Sequence, residues 1–225
     1  MGRPITANVG PLATADADGI SASQLAAAAQ YLALNGALST GFDADNIALA
    51  QNPAGAGNLT LNGALVTSGV AYLGQMTRIY LTCAADETDR TFTVTGTGMN
   101  AQGLFSVVDT FVGGNASVRA SNKLFYTITS IATSGAGSGN ISVGTSGIGT
   151  LDVARRVIVT SGGDDTGITF TIVGTNAAGL TQTEVLTGVS GAAAQSALDF
   201  KTVTSVLTSG AAASTVTVGT NGVAS

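Results

Sequence analysis

One long pattern occurs twice in this chain, and that repetition constrains the fold more than any other feature. Residues 78–96 read RIYLTCAADETDRTFTVTG, and residues 156–174 read RVIVTSGGDDTGITFTIVG. The two segments align without a gap. Matched positions include an arginine, a phenylalanine and a glycine, at Arg78 and Arg156, Phe92 and Phe170, and Gly96 and Gly174. Self-similarity of this kind is the signature of repeated structural modules, so we predict two modules of one design.

Each copy alternates apolar and hydroxyl-bearing side chains, as a half-buried β-strand does. Ile168, Phe170 and Ile172 fall on one face, whereas Thr169 and Thr171 fall on the other. Turn-forming runs such as SGGDDTG and GTNAAG separate these stretches. Short strands with Gly-rich turns indicate a sandwich or barrel. We therefore predict an all-β fold of two tandem small β-sandwich modules, Ig-like or jelly-roll-like. In the second module we predict strands at roughly 156–160, 168–174, 182–188, 198–207 and 215–219.

A shorter motif decides how the N-terminal region is interpreted. It consists of small residues followed by a short alternating stretch, and it occurs at residues 21–39, 51–67, 134–148 and 209–223. Ala26–Ala29 by themselves favour a helix in the first copy. In the second copy Pro53 and neighbouring glycines prevent one, and Leu59 to Leu61 alternates like a strand. We therefore predict a strand or strand-like arm over 31–38, although Ala27–Ala29 could still support a short helix.

These repeats divide the chain into three predicted parts. Residues 1–56 form an extended N-terminal arm with strand-like repeat segments, because they combine Pro4 and Pro11 with small residues. Residues 57–147 form the first β module, and residues 148–225 form the second. No apolar run has the length of a signal peptide core or a membrane span. We therefore expect a soluble protein that is not exported by an N-terminal signal.

The composition argues against several functional classes. Lys and Arg total 8 and the net charge is −5, so the cations that bind phosphate or an anionic membrane are scarce. We predict neither nucleic acid nor membrane partners. The chain has no histidine, which excludes a Ser-His-Asp triad and a histidine zinc site. A glycosidase-like carboxylate pair stays open, but glutamate occurs only at Glu87 and Glu184. We predict a non-enzymatic protein without catalytic, cofactor-binding or metal-binding residues, and without a cofactor.

The acidic turns are the strongest candidates for a ligand site. Asp164 and Asp165 occupy the loop that matches Asp86, Glu87 and Asp89. Calcium ions require several oxygens at one point, but none of these segments has EF-hand spacing. Aspartate in a turn also bonds its own backbone. We therefore interpret these acids as turn formers. Two further acidic segments, Asp16–Gly19 and Asp43–Asn46, are also rejected as calcium sites, because neither is followed by a glutamate at the twelfth loop position.

Three other features have a structural and a functional interpretation. The Gly-rich run at Gly135, Gly137 and Gly139 precedes a strand, so it lacks the helix N-terminus of a phosphate loop. Cys83 is the single cysteine, which excludes an internal disulfide, and we interpret it as a buried strand residue. The matched Arg78 and Arg156 either pair with acids across modules or protect a sheet edge, and the sequence leaves both open.

A family resemblance rests on residues 58–73, NLTLNGALVTSGVAYL, and on residues 155–179 and 200–225. These stretches resemble structural proteins of tailed bacteriophage particles, which use such Gly/Ser/Thr-rich β repeats. The resemblance spans roughly residues 50–225 and carries over no functional residue. It implies a virion location and assembly as a homo-oligomer with other virion proteins, such as the major capsid protein.

Within that group the first expectation is a capsid decoration, cement or other head protein. We expect residues 1–56 to dock onto the particle or a sister subunit while the β modules project. The alternatives are a tail or fibre-like virion protein, which would form rings or trimeric spikes, and a carbohydrate or host-surface binding module. The neutral, hydroxyl-rich composition suits static assembly in a symmetric lattice.

Overall fold

The computed structural model describes residues 15–222, and it confirms the all-β class. Seventeen β-strands and no helix lie within these residues. The prediction of an extended segment around Pro4 and Pro11 lies outside the described residues. All five predicted strands of the second repeat are present. Those at Thr169–Thr175, Thr181–Thr187 and Thr215–Thr220 agree with the prediction to within one residue, whereas those at Ile148–Ser161 and Ala193–Thr208 begin earlier than predicted. Phe170 and Ile172 are fully buried, while Thr169 and Thr171 are half-buried, as the alternation predicts.

Module 1, as the structure defines it, is built from one continuous stretch of chain. It contains two antiparallel sheets that enclose a core with Ile47, Phe92 and Phe125. The strands of the four-stranded sheet are, in spatial order, β10 (Val118–Ala120), β7 (Ile79–Cys83), β12 (Ile141–Thr145) and β3 (Asp43–Gln51). The second sheet has the order β5 (Val66–Thr67), β6 (Val70–Thr77), β11 (Phe125–Thr133), β8 (Thr91–Asn100) and β9 (Gly103–Val112), with β4 (Gly57–Asn58) paired to β11.

Module 2 is assembled from both ends of the described chain. Its core includes Ile20, Leu32, Phe170 and Phe200. Its strands form one sheet in the order β1 (Asp16–Leu25), β17 (Thr215–Thr220), β13 (Ile148–Ser161), β16 (Ala193–Thr208), β14 (Thr169–Thr175) and β15 (Thr181–Thr187), with β2 (Ser39–Thr40) paired to β13. The long β13 occupies the positions of β6 and β7, and the long β16 those of β10 and β11. The two modules therefore share one design.

Two N-terminal strands, β3 and β1, lead into copies of the short motif, and their pairing explains how the modules are closed. In module 1, β3 pairs with β12 and places Ala48 opposite Val143. In module 2, β1 pairs with β17 and places Ser21 opposite Val218. The first motif thus closes the last module, and module 1 is inserted into module 2.

This arrangement differs from the predicted domain bounds of 1–56, 57–147 and 148–225. Residues 16–42 belong to module 2, and residues 43–147 supply module 1 and the connection that follows it. Within its described part, the predicted arm is therefore not a separate element. Deleting residues 1–56 would remove β1, β2 and β3, so both modules would lose a strand. The physical reason is that each sandwich needs an N-terminal strand, β1 or β3, to pair with its last strand, β17 or β12.

The alanine-rich segment forms a turn and not a helix. Gln30 Oε1 accepts a hydrogen bond from Ala27 N at 2.7 Å, and Ala29 has a positive φ of 50°. Beyond it, Tyr31 forms an isolated bridge to Leu207, and the chain continues in an extended, irregular path. A Cβ on Gly36 would lie 2.2 Å from the Asp18 carbonyl oxygen. The segment is therefore pressed against β1, which excludes the helical alternative.

The equivalent segment of module 1 is also irregular. Leu59 is buried and Thr60 is exposed, as the alternation predicts, but neither belongs to a strand. Leu59 N donates to Ile131 O at 2.8 Å. The predicted strand at Leu59–Leu61 is therefore wrong, because strand pairing in this segment is limited to β4. The alternation of buried and exposed side chains is nevertheless present.

Candidate functional site: the module interface and the exposed hairpin

The acidic turns bind their own backbone. Asp86 Oδ1 accepts bonds from Thr88 N at 3.0 Å and Thr88 Oγ1 at 2.7 Å. Asp164 Oδ1 accepts the same pair of bonds from Thr166, at 3.2 and 2.8 Å. These hydrogen bonds, the side-chain bond first, lower the pKa of both aspartates below the ordinary value. Asp43 Oδ1 likewise accepts bonds from two backbone N–H groups, Asp45 N and Asn46 N. The turn-forming interpretation accounts for Asp86 and Asp164, whereas Asp43 is the first residue of β3 and Asp16 is the first residue of β1.

The next acid in each turn is buried and holds a Gly-rich loop. Glu87 Oε1 accepts bonds from Ser138 N at 2.7 Å and Gly139 N at 3.0 Å. Asp165 Oδ1 accepts a bond from Ala213 N at 2.8 Å. The Gly-rich run therefore surrounds a carboxylate of its own chain. In the part of the chain that the structure describes, no three His, Cys, Asp or Glu side chains gather as metal ligands.

A second pair of acids ties the outer hairpin of each module to its neighbour. Asp109 Oδ2 accepts bonds from Asn122 N and Lys123 N. Glu184 accepts bonds from Ala197 N and Leu198 N through its two oxygens. Sequence reasoning missed this role. The available signal was that both acids stand at equivalent positions of the two repeats.

The structure confirms the interpretation of Cys83 as a buried strand residue. It is the last residue of β7 and is 3% exposed. Burial raises the pKa of its thiol, and Gly114 N donates to Sγ at 3.4 Å.

The two modules meet at the fully buried Tyr80. Its hydroxyl accepts a bond from Leu34 N at 2.5 Å and donates to Leu32 O at 3.0 Å. The ring lies edge-on to Phe42 with centroids 5.6 Å apart. Burial raises the pKa of Tyr80, so the hydroxyl stays protonated at neutral pH. One side chain of module 1 therefore pairs two backbone groups of the irregular segment of module 2.

Arg78 also crosses the interface, but its partner is aromatic. The guanidinium carbon lies 3.3 Å from the centroid of the Tyr31 ring. Nη1 donates to Ser121 O at 2.9 Å and to Asn122 O at 2.5 Å. Burial lowers the pKa of Arg78 below its ordinary value. Both sequence hypotheses for Arg78 are therefore replaced: it neither pairs with an acid across modules nor guards an edge. Its counterpart Arg156 lies opposite Asp199 in the β13–β16 register.

The residues that join the two modules are not repeated at the equivalent positions of the other module. Gln30 Nε2 donates to Val118 O at 3.0 Å, and Arg119 Nη1 donates to Gln30 Oε1, which completes the interface. The interface residues are not retained at the corresponding free positions, where Asn58 replaces Tyr31, Ile158 replaces Tyr80, Gly57 replaces Gln30, Gly69 replaces Phe42 and Ala194 replaces Arg119. The contact between modules is therefore specific to the pair within one chain.

The outer hairpin of module 1 is longer than that of module 2. In β14–β15 the last pair is Thr175 with Thr181. The corresponding pair in β8–β9 is Thr97 with Ser106, and three further pairs follow to Asn100 with Gly103. This extension carries apolar side chains into solvent, with exposures of 44% for Met99, 61% for Leu104 and 42% for Phe105. We call the strands β8 and β9 with their connecting turn the long hairpin.

A cavity of about 630 Å³ in module 2 is lined by both apolar and charged residues, and the charged ones are Asp16, Asp152, Arg155 and Lys201. Among them, Arg155 is 1% exposed, and its Nη2 lies 2.7 Å from Asp152 Oδ2. Lys201 Nζ donates to Leu151 O at 2.7 Å and to Asp152 O at 2.8 Å. These cations thus form bonds within the module. The equivalent positions of module 1, Thr77, Tyr126 and Gly74, carry no charge.

Comparisons with protein families, with curated protein sequences and with solved structures found no match. Among residues 15–222, no helix has the length and apolar character needed to cross a membrane.

Proposed function

We propose that the chain is a non-enzymatic structural protein of a bacteriophage particle, of the capsid decoration, cement or other head type. The proposal takes its particle class from the Gly/Ser/Thr-rich repeats. The observation that carries it is a contrast between acidic side chains that bind their own chain and apolar side chains that are exposed. The candidate acids tie turns of their own chain, whereas Met99, Leu104 and Val108 are exposed on one face of the long hairpin.

That contrast favours a protein partner over a small substrate. Exposed apolar area costs about 25 cal/mol per Å² compared with the same area buried. A patch of such side chains marks a contact surface more often than a chemical site. In both modules, threonines on neighbouring strands bond to one another, such as Thr97 with Thr127 at 2.7 Å in module 1 and Thr175 with Thr202 at 2.8 Å in module 2. Neutral faces of this kind are suited to close packing in a lattice.

The carbohydrate-binding alternative has less support. Among the described aromatic residues, only Tyr72 and Phe105 are exposed. Tyr31 and Tyr80 are occupied at the module interface. Stacking platforms for sugar rings are therefore few.

Fractionation of purified particles tests the proposal. Heads and tails of the virus that encodes the chain are separated by density, and the chain is quantified in each fraction by mass spectrometry. We expect it in heads, at a copy number that matches a symmetric set of capsid sites. Recovery in tails at ring or trimer stoichiometry would favour the tail or fibre alternative. Its absence from both fractions would exclude a virion role.

A further inference from the structure

We propose that the free edge of β9 is a self-association site, at which two copies of the chain pair their β9 strands antiparallel about Val108. This inference does not depend on the proposed function, because such a dimer would form in a purified protein whether or not the chain belongs to a virion. It concerns the side of β9 that faces away from β8.

The edge is long, and in the part of the chain that the structure describes no strand pairs with its outer side. β9 contains 10 residues and is the terminal strand of its sheet, with β8 as its neighbour there. A ten-residue strand spans roughly 34 Å. An unpaired strand of this length offers a row of N–H and C=O groups to another strand.

The hairpin register identifies which backbone groups face outward. Asn100 pairs with Gly103 across a two-residue loop, so Gly103 and every second residue after it bond to β8. The residues between them direct their backbone groups away from β8, and their side chains lie on the outer sheet face. The Val108 carbonyl confirms this direction, because it accepts a bond from Lys123 Nζ at 2.7 Å and not from β8. The outward set is Leu104, Ser106, Val108, Thr110 and Val112.

This outward set is self-complementary. Antiparallel pairing about Val108 places Leu104 opposite Val112, Ser106 opposite Thr110, and Val108 opposite its own copy. Apolar residues meet apolar residues, hydroxyls meet hydroxyls, and no like charges face each other. The carboxylate of Asp109 does not disturb the edge, because it is buried and bound to Asn122 N and Lys123 N.

The equivalent edge of module 2 is a poorer candidate. β15 has 7 residues, and its outward side chains are three threonines and Val185. It also lacks the three additional pairs that carry Leu104 and Phe105. The matched edges therefore provide a site and its internal control within one molecule.

Lys123 regulates access to the edge. Its side chain is exposed, and its ammonium group occupies the Val108 carbonyl at the centre of the proposed contact. A lysine placed on an edge strand opposes unwanted pairing. The ammonium group must leave this carbonyl before a second copy can bind, so removal of Lys123 should strengthen association.

Disulfide trapping of the full-length protein tests the geometry directly. Val108→Cys is compared with Thr183→Cys, the matched position on β15, under mild oxidation. In the proposed pairing the two residues at position 108 form a hydrogen-bonded pair with Cα atoms about 5.5 Å apart, within reach of a disulfide. We expect a covalent dimer for Val108→Cys and not for Thr183→Cys. The native Cys83 is 3% exposed and does not compete.

Sedimentation equilibrium of uncrosslinked variants provides the second measurement. Val108→Lys should raise the dimer dissociation constant about tenfold or more, since it brings like charges together, whereas Thr183→Lys should leave it unchanged. Lys123→Ala should lower that constant. A wild-type protein and a Lys123→Ala variant that both stay monomeric at high concentration would overturn the proposal. Equal crosslinking through Thr183→Cys would do so as well.

Discussion

Module 1 and module 2 have the same strand plan but are closed by different parts of the chain. Module 1 is closed by β3, its own first strand, whereas β1, which closes module 2, is separated from its partner β17 by the whole of module 1. The loop bridged in module 2 is about twice as long, and doubling a loop costs only about 0.6 kcal/mol in closure entropy. The repeat in the sequence is therefore not the folding unit, because a distant segment completes a module almost as cheaply as a near one.

The two modules also differ in the residues that form the interface between them. Tyr80 and Arg78 bind the irregular segment of module 2, but their equivalents Ile158 and Arg156 have no aromatic partner at the corresponding free position, which is Asn58. Repeats with identical interfaces would stack into an open array. Here the residues diverged, so the contact is made once and the pair is closed.

The largest expected effect comes from charging the closing strand of one module at a time. Ile20 in β1 and Ile47 in β3 are equivalent and fully buried. Replacement by aspartate removes apolar packing and buries an unpaired carboxylate, at a cost of several kcal/mol compared with a total stability of about 5–15 kcal/mol. Ile20→Asp should abolish amide protection in residues 148–220, and Ile47→Asp in residues 43–145, measured by hydrogen exchange. If Ile20→Asp leaves residues 148–220 protected, β1 does not close module 2.

A smaller effect is expected at the glycine that each repeat places in a central strand, Gly96 in β8 and Gly174 in β14. A Cβ on Gly96 would lie 1.9 Å from Thr127 O, and a Cβ on Gly174 would lie 1.9 Å from Thr202 O. Gly96→Ala and Gly174→Ala should each destabilise their module by roughly 3 kcal/mol through overpacking, measured by denaturant unfolding. Gly167 has no atom within 4 Å of such a Cβ, so Gly167→Ala is the control. Unequal costs would show that the two modules pack differently at this point.

The interface tyrosine should have an effect of about 2 kcal/mol. Tyr80→Phe keeps the ring but leaves Leu34 N and Leu32 O without the hydroxyl, and unsatisfied buried groups cost about 1–3 kcal/mol each. Chemical denaturation of the full chain measures the loss. Tyr72→Phe is the control, because that side chain is 54% exposed. Equal stability of the two variants would mean that the hydroxyl does not hold the modules together.

The smallest effect concerns the acid sensitivity of the matched turns. Asp86 and Asp164 have pKa values lowered in the folded state, compared with about 3.9 in an unfolded chain. Their bonds therefore stabilise the fold above the unfolded pKa, and this contribution is lost as pH falls through the folded pKa. Thr88→Val and Thr166→Val should raise the respective aspartate pKa by similar amounts, measured by NMR titration of the carboxyl carbons. A rise at one site alone would break the equivalence of the turns.

Much of the fold could be predicted from local patterns. The alternation around Phe170 placed β14, the turn chemistry of Asp164 and Asp86 was anticipated, and Cys83 was expected in a strand. The roles of Glu87, Asp109 and Glu184 were not anticipated, because each binds backbone groups of a different loop or strand, which local patterns do not bring next to it. The alternation of Leu59 and Thr60 also indicated a strand where the chain is only extended. Periodicity reports which side chain is buried, but not whether the backbone finds a ladder partner.

The sequence by itself determined that this protein is a pair of all-β modules, because the period-two alternation and the turn residues recur in both copies. Only the tertiary structure decided that the first motif pairs with the last, so that β1 completes module 2 around an inserted module 1. It also decided that Arg78 faces Tyr31 and that β9 has a free edge. The physical reason is that strand partners are chosen by which edges remain open after the nearer segments have paired, and no local pattern records that choice.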